Sequence, residues 1–266
     1  MNAPERLFLT DVQSRPDDRN VAIDQVGVRG LRLPVQVLAR DGVQSTVAQC
    51  EATVALPPQA KGTHMSRFVE ILEASDTPLS ARSLPHLLER MLERLGARAG
   101  RLDFAFPFFI RKLAPVTGVP SLLDYSARMA VASSDAGAVV TLAITAPVTS
   151  LCPCSKEISA YGAHNQRSHV TLDVELRPRA KLTLETLAAI GESAASCEVY
   201  GLLKRPDEKF VTERAYDNPK FVEDLVRDLA LALDARAAVR RYRVEVENFE
   251  SIHNHSAYAR IERVKA

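Results

Sequence analysis

The chain is short of the features that mark several large protein classes. Only four cysteines, Cys50, Cys152, Cys154 and Cys197, are spread over its 266 residues, too few to build a disulfide scaffold in a chain of this length. Cys152 and Cys154, with one residue between them, also sit too close to bridge comfortably. No apolar run is long enough for a membrane-spanning helix, and the opening MNAPERLFLTDVQSRPDDRN lacks the apolar core of a signal peptide. We therefore expect a reduced, soluble, cytoplasmic protein with no membrane partner. A surplus of one charge sign is missing too: the formal net charge is +1, which argues against a nucleic-acid binder. Local basic patches could still meet a phosphate-bearing small molecule. There is no GxxxxGK[ST] loop and no GxGxxG after a strand, which disfavours a P-loop nucleotidase and a Rossmann dehydrogenase. HExxH and GxSxG are absent as well.

What is present is an ordinary globular composition, 46% hydrophobic and 25% charged, with enough chain for one large domain or two modest ones. Residues 1–25 are polar, carry Pro4 and Pro16, and read as an N-terminal arm. Two alternating runs around Asp41-Gly42 predict an antiparallel hairpin. SRFVEILEAS and LPHLLERMLERLG place apolar residues at helical spacing, with Ser66 a candidate N-cap and Gly96 a stop. Strand-like runs follow at RLDFAFPFFIRKLAPV, SLLDYSARMAVASS, AVVTLAITAPVTS and SHVTLDVELRPRA. LTLETLAAIGESAASCEVYGLL reads as helix, including Cys197, and so does Pro219–Ala237 with Asn218 as N-cap. Residues 200–223 read as a long polar loop, and YRVEVENFESI and SAYARIERV close the chain as strands. Two similar antiparallel halves with helix pairs suggest an internal duplication, divided as residues 26–150 and 151–266.

Chemistry concentrates in LCPCSKEISAYGAHNQR, residues 151–167, where Cys152, Cys154, Lys156, Glu157, His164 and Gln166 share one window. Thiolate and neutral imidazole are strong transition-metal donors. The CxC spacing is unlike a zinc ribbon, so an open site with mixed ligands competes with a buried structural cysteine beside a hydrogen-bonded histidine. His253 and His255, two apart, would share a face of a strand, one as ligand and the other as proton shuttle, or both as surface residues. KGTHMSRF offers His64 and Arg67 at a helix start, either a plain entry or an anion site. Cys50 and Cys197 read as small buried hydrophobes.

Taken together, SLCPCSKEISAYGAHNQRSHV, KGTHMSRF, YGLLKRPDEKFVTERAYDNPKFVED and ENFESIHNHSAYA resemble the type IB GTP cyclohydrolase family, four long motifs in order from about Val26 to the C-terminus. The resemblance implies an α+β chain: a tandem, bimodular tunnelling fold, antiparallel sheets backed by helix pairs, assembled as a homotetramer with active sites at interfaces. It implies hydrolysis of GTP to 7,8-dihydroneopterin triphosphate and formate, the first step of folate-type pterin synthesis. A divalent metal, Zn2+, Mn2+ or Fe2+, would be the cofactor. Carried onto this sequence, the catalytic cysteine falls at Cys152, with Cys154 the alternative. His164 and His253 would be catalytic histidines, and Cys152, His164, Glu208 and His253 the metal shell. Glu223 would anchor the guanine, and Arg67, Lys204 and Arg205 would meet the triphosphate. Other readings keep the fold and change the substrate, such as a nitrile reductase using NADPH, or drop catalysis for pterin or metal binding.

Overall fold

The computed structural model describes residues 13, 15–134 and 137–265, so most of the expected N-terminal arm lies outside the described residues. Strand β1 (Ile23–Ala39) turns through Arg40 and Asp41 into β2 (Gly42–Leu56), with Ala39 opposite Gly42. This is the hairpin that the Asp-Gly turn predicts. Helix α1 (Met65–Glu73) buries Phe68, Ile71 and Leu72, and α2 (Leu84–Leu95) buries Leu84, Leu87, Leu88 and Met91. These i, i+3, i+4, i+7 stripes pin both helices to the sheet. Gly96 ends α2 at φ 63, a left-handed conformation that glycine adopts without Cβ strain. Ser66 lies inside α1 instead of capping it; His64 holds the N-cap position in extended conformation.

A second hairpin, β3 (Gly100–Leu113) and β4 (Pro120–Ser134), completes the first half. The second half opens with β5 (Gly137–Leu151), a short helix α3 (Pro153–Ile158) and β6 (Asn165–Leu176). Then come α4 (Leu184–Ala194), the two-residue β7 (Cys197–Glu198), α5 (Arg205–Asp217) and α6 (Val222–Asp234). Strands β8 (Val239–Asn248) and β9 (Ala257–Val264) close the fold. Among the described residues all strands pair into one antiparallel nine-stranded sheet, ordered β1-β2-β3-β4-β5-β6-β8-β9, with β7 added beside β5. Each half thus runs hairpin, helices, hairpin. Strand β5 pairs with β6 from Thr141 to Leu151.

Three local expectations change. Residues 205–217 form α5 where a solvated loop was expected; Asp207 and Ala215 alone of its residues are buried, so no apolar stripe announces it. Asn218 caps the C-terminus of α5, and α6 begins at Val222. Cys197 sits on β7, not in a helix, because Ala195 and Ser196 are packed at 3% and 0% exposure and the chain must run flat against β5.

The two faces of the sheet differ in chemistry. On β6, Gln166, Ser168, Val170, Leu172, Val174 and Leu176 are buried, while the alternate residues are not; this is the period of two that a strand imposes. The buried parity packs under α4 with Leu187, while α6, with Leu225 and Leu229, covers β8 and β9 beside it in the same core. The opposite face carries a network of ions that runs both across and along the strands. Arg128 on β4 pairs with Asp103 on β3 and Asp173 on β6, Arg243 on β8 pairs with Asp173 and Glu245, and Arg260 on β9 pairs with Glu245 and Glu262.

Candidate active site

The cysteine window folds as a clasp at the end of β5. Pro153 has no N–H to continue the ladder and takes the first turn of α3, where its fixed φ is favourable. Cys152 becomes the N-cap, and its Sγ accepts from Ser155 N at 3.5 Å. Three further bonds close a ring around it. Cys152 N donates to His164 O at 3.1 Å, Ser155 Oγ donates to Cys152 O at 3.1 Å, and His164 N donates to Ser155 Oγ at 3.2 Å. Gly162, at φ 111, supplies the turn that lets twelve residues return this closely. The thiol and the imidazole are therefore held on adjoining backbone. Cys152 is half-buried; Cys154 is exposed and is not a member of the ring.

His164 is oriented through its ring. Its Nδ1 lies 2.8 Å from Gln166 Oε1 and 3.3 Å from Ser251 Oγ in the loop between β8 and β9. Gln166 Nε2 in turn donates to Glu250 Oε1 at 3.4 Å. Beneath them Ser168 Oγ donates to Ser150 Oγ at 2.9 Å, both fully buried. Polar residues at buried parity are expensive unless bonded. Gln166 and Ser168 in an otherwise apolar series were the sequence signal for this shelf, and sequence reasoning assigned them no role.

Helix α5 is fastened at both ends. Asp207, fully buried, accepts from Val116 N at 2.8 Å, Thr117 N at 2.9 Å, Thr117 Oγ1 at 2.7 Å and Lys204 N at 2.9 Å. Burial alone would raise this carboxyl, but the four donors outweigh it and hold it well below the usual carboxylate range. At the other end Lys156 donates to Tyr216 O and lies 4.3 Å over the Tyr216 ring, tying α3 to α5. Lys220 N donates to Leu151 O at 3.1 Å, just before Cys152.

The fold does not gather the remaining candidates into one group with this clasp among the described residues. Lys204, Arg205 and Glu208 are exposed on and before the first turn of α5, and Glu223 is exposed on the first turn of α6. His253 and His255 lie in the β8–β9 loop, not on a strand, with rings stacked at 5.1 Å. Arg67, on α1, belongs to the first half, where α1 packs on β1 and α2. Among the described residues no three His, Cys, Asp or Glu side chains converge as a metal-holding group. Cys152 and His164 are the two candidate donors whose backbones the fold joins, and their chemistry fits a divalent transition ion. A half-buried thiol and an imidazole engaged at Nδ1, with Nε2 left over, form a soft and borderline pair. Cys50 and Cys197 do not share this setting. Burial pushes both thiols up to about 11, helped by Asp103 and Glu198 respectively, so they are inert core residues.

Comparison with known proteins gives a consistent result. The family model "Type I GTP cyclohydrolase folE2" matches residues 9–259. "GTP cyclohydrolase FolE2 1" of Dechloromonas aromatica (strain RCB) is 59% identical over 263 residues, covering 98% of each chain. "GTP cyclohydrolase FolE2" of Cupriavidus necator is 56% identical over 97% of this chain and 96% of its own, and that of Burkholderia multivorans is 57% identical over 100% and 98%. Among solved structures, urate oxidase from Bacillus subtilis 168 aligns with a TM-score of 0.53 at 7% identity, over 91% of this chain and 98% of its own. Uricase from Arthrobacter globiformis gives 0.52 at 9%, over 91% and 93%. At such identity these two are similar in fold alone, and the fold is the tunnelling one.

Proposed function

The chain belongs to the type I GTP cyclohydrolase family of the FolE2 kind, and from that premise we propose how its own residues carry the reaction. The enzyme is a type IB GTP cyclohydrolase: it hydrolyses GTP to 7,8-dihydroneopterin triphosphate and formate, opening folate synthesis. The observation that carries our assignment of residues is the clasp that sets Cys152 beside His164.

In this reading Glu223 accepts hydrogen bonds from the ring N–H and amino group of guanine and so fixes the base. Arg67, Lys204 and Arg205 neutralise the triphosphate. Cys152 and His164, with Glu208 and His253 completing the shell, would hold the divalent metal on which the family depends. Such an ion, once bound, supplies Lewis acidity for adding water to the guanine C8 carbon. Zn2+, Mn2+ and Fe2+ all suit these donors. Of the stacked pair His253 and His255, the imidazole that does not hold the metal gives and takes protons at the imidazole nitrogens of the base as the ring opens and formate leaves.

Glu208, Glu223, Lys204, Arg205 and His253 are all solvent-exposed in the single chain, although the chemistry needs water excluded and charges focused. This supports a homotetramer in which a neighbouring copy covers the clasp and brings in the remaining groups. It also supports a cytoplasmic enzyme, since GTP carries too much charge to cross a membrane unaided. The test is formate release from GTP by metal-free protein, repeated after adding zinc, manganese and ferrous iron separately. No formate and no oxidisable fluorescent pterin with any of the three would end the reading.

A further inference from the structure

We propose that Glu250, acting through Gln166, fixes the tautomer of His164 so that its proton sits on Nδ1 and its free lone pair on Nε2. This makes Gln166 and Glu250 positioning residues, and it deepens the assignment above because it rests on His164 being a site residue. A neutral imidazole has one N–H and one lone pair, and its hydrogen-bond partner decides which nitrogen holds which. The partner at Nδ1 is the Gln166 amide, 2.8 Å away through Oε1. An amide alone leaves the matter open, because it could turn its oxygen or its NH2 towards the ring.

Glu250 removes that freedom. An ionised carboxylate can only accept, so the group that Gln166 turns to Glu250 Oε1, 3.4 Å away, must be its NH2. The amide oxygen then faces His164, and an oxygen can only accept, so Nδ1 must carry the hydrogen. Ser251 Oγ, 3.3 Å from the same nitrogen, shares that hydrogen as a longer second acceptor. Polarity thus runs one way, from carboxylate through amide to imidazole. Gln166 has little room to rotate out of the chain. It is 7% exposed, its backbone pairs with Ser150, and the Ser150–Ser168 hydrogen bond lies alongside.

The relay also crosses the fold. Glu250 follows β8, and Gln166 lies on β6, 84 residues away in sequence. Seating the loop that carries His253 and orienting His164 are therefore one event: if the loop lifts, the carboxylate leaves and the amide regains its freedom to flip.

Long-range nitrogen-15 NMR on metal-free full-length protein with labelled histidine reads the tautomer directly, with His164 identified by its missing signals in His164→Asn. The expected wild-type form is Nδ1–H. Gln166→Met, unbranched and similar in length, should turn His164 mainly to Nε2–H and weaken zinc binding about 10- to 100-fold. Gln166→Glu keeps an acceptor at the same place, so it should retain Nδ1–H and most of the affinity. Glu250→Gln, at a partly exposed position, should give a mixture. An unchanged Nδ1–H form in Gln166→Met, or an unchanged single form in Glu250→Gln, overturns the relay. Zinc affinity in His164→Asn addresses the underlying assignment separately: if it does not fall, His164 is not a ligand, whatever its tautomer.

Discussion

Replacing one sulfur atom by oxygen, in Cys152→Ser, separates the two roles open to this residue. If Cys152 is structural, its value lies in its contacts, and these are few. The Sγ accepts one hydrogen bond, from Ser155 N at 3.5 Å, and the side chain is only half-buried. Serine is among the best N-cap residues, so the cap on α3 survives or improves. Complete loss of an N-cap costs about 0.5–2 kcal/mol, and because serine keeps the cap a net change of no more than the typical value of about 1 kcal/mol is expected. In a chain of this size that moves Tm by about 2–4 °C. If Cys152 is the reactive thiol, the same change removes a soft donor and a good nucleophile, and formate release should fall by about 1,000-fold or more. The assay pairs formate release from GTP, with excess metal, against thermal unfolding by circular dichroism. Cys154→Ser serves as the control and should keep both properties, because Cys154 is exposed and outside the clasp. A Cys152→Ser protein that retains a tenth of wild-type activity would refute the catalytic role. One that loses more than about 10 °C of Tm, several times what the cap allows, would instead return Cys152 to a structural role.

Four further outcomes are expected. Lys112 and Glu192 pair at 2.6 Å with side chains only 10% and 13% exposed, and Tyr125 also donates to Glu192. Lys112→Met or Glu192→Met alone should cost about 3–5 kcal/mol, with the double variant less than their sum by urea titration. The depressed Asp207 carboxyl binds its proton less readily folded than unfolded. Its contribution is therefore full above the ordinary carboxylate range and is lost as pH falls below it; Asp207→Asn should lower Tm at pH 7, flatten the acid limb of Tm against pH, and exceed Glu208→Gln in effect. Glu223→Gln should raise the KM for GTP about 10- to 100-fold while zinc content, measured by atomic emission, stays the same. Light scattering should return four times the chain mass of 29.2 kDa, and a monomer with full activity would remove the shared-site argument.

Much of the framework was legible in sequence because local chemistry and global packing agree there. The Asp41-Gly42 turn, the stripe Leu84, Leu87, Leu88, Met91 and the stop at Gly96 each point to one structure. Helix α5 was not legible because its residues face water, and what anchors it is Asp207 meeting the backbone of Val116 and Thr117, about 90 positions away. Cys197 misled for a related reason: Ala-Ala-Ser-Cys has helical propensity, but the close fit beside β5 decides its conformation. At the site, the likeness of motifs to a known family pointed to Cys152 and His164. The Gln166–Glu250 contact had no local signature, since neither residue type nor spacing predicts a bond across two strands.

The interval from Cys152 to His164 acts as a ruler. Its ends are pinned by Leu151 facing Asn165 in the β5–β6 ladder and by the Ser155 ring, so its middle, near Gly162, can change length without moving either reactive group. Beyond Asn165 the opposite holds. A single residue inserted between His164 and Gln166 would exchange the parities of β6, turning Gln166 and Ser168 to the ionic face and driving Arg167 and His169 under the helices. Among relatives, insertions and deletions should therefore gather in residues 159–162 and stop sharply at His164, a boundary drawn by strand geometry alone.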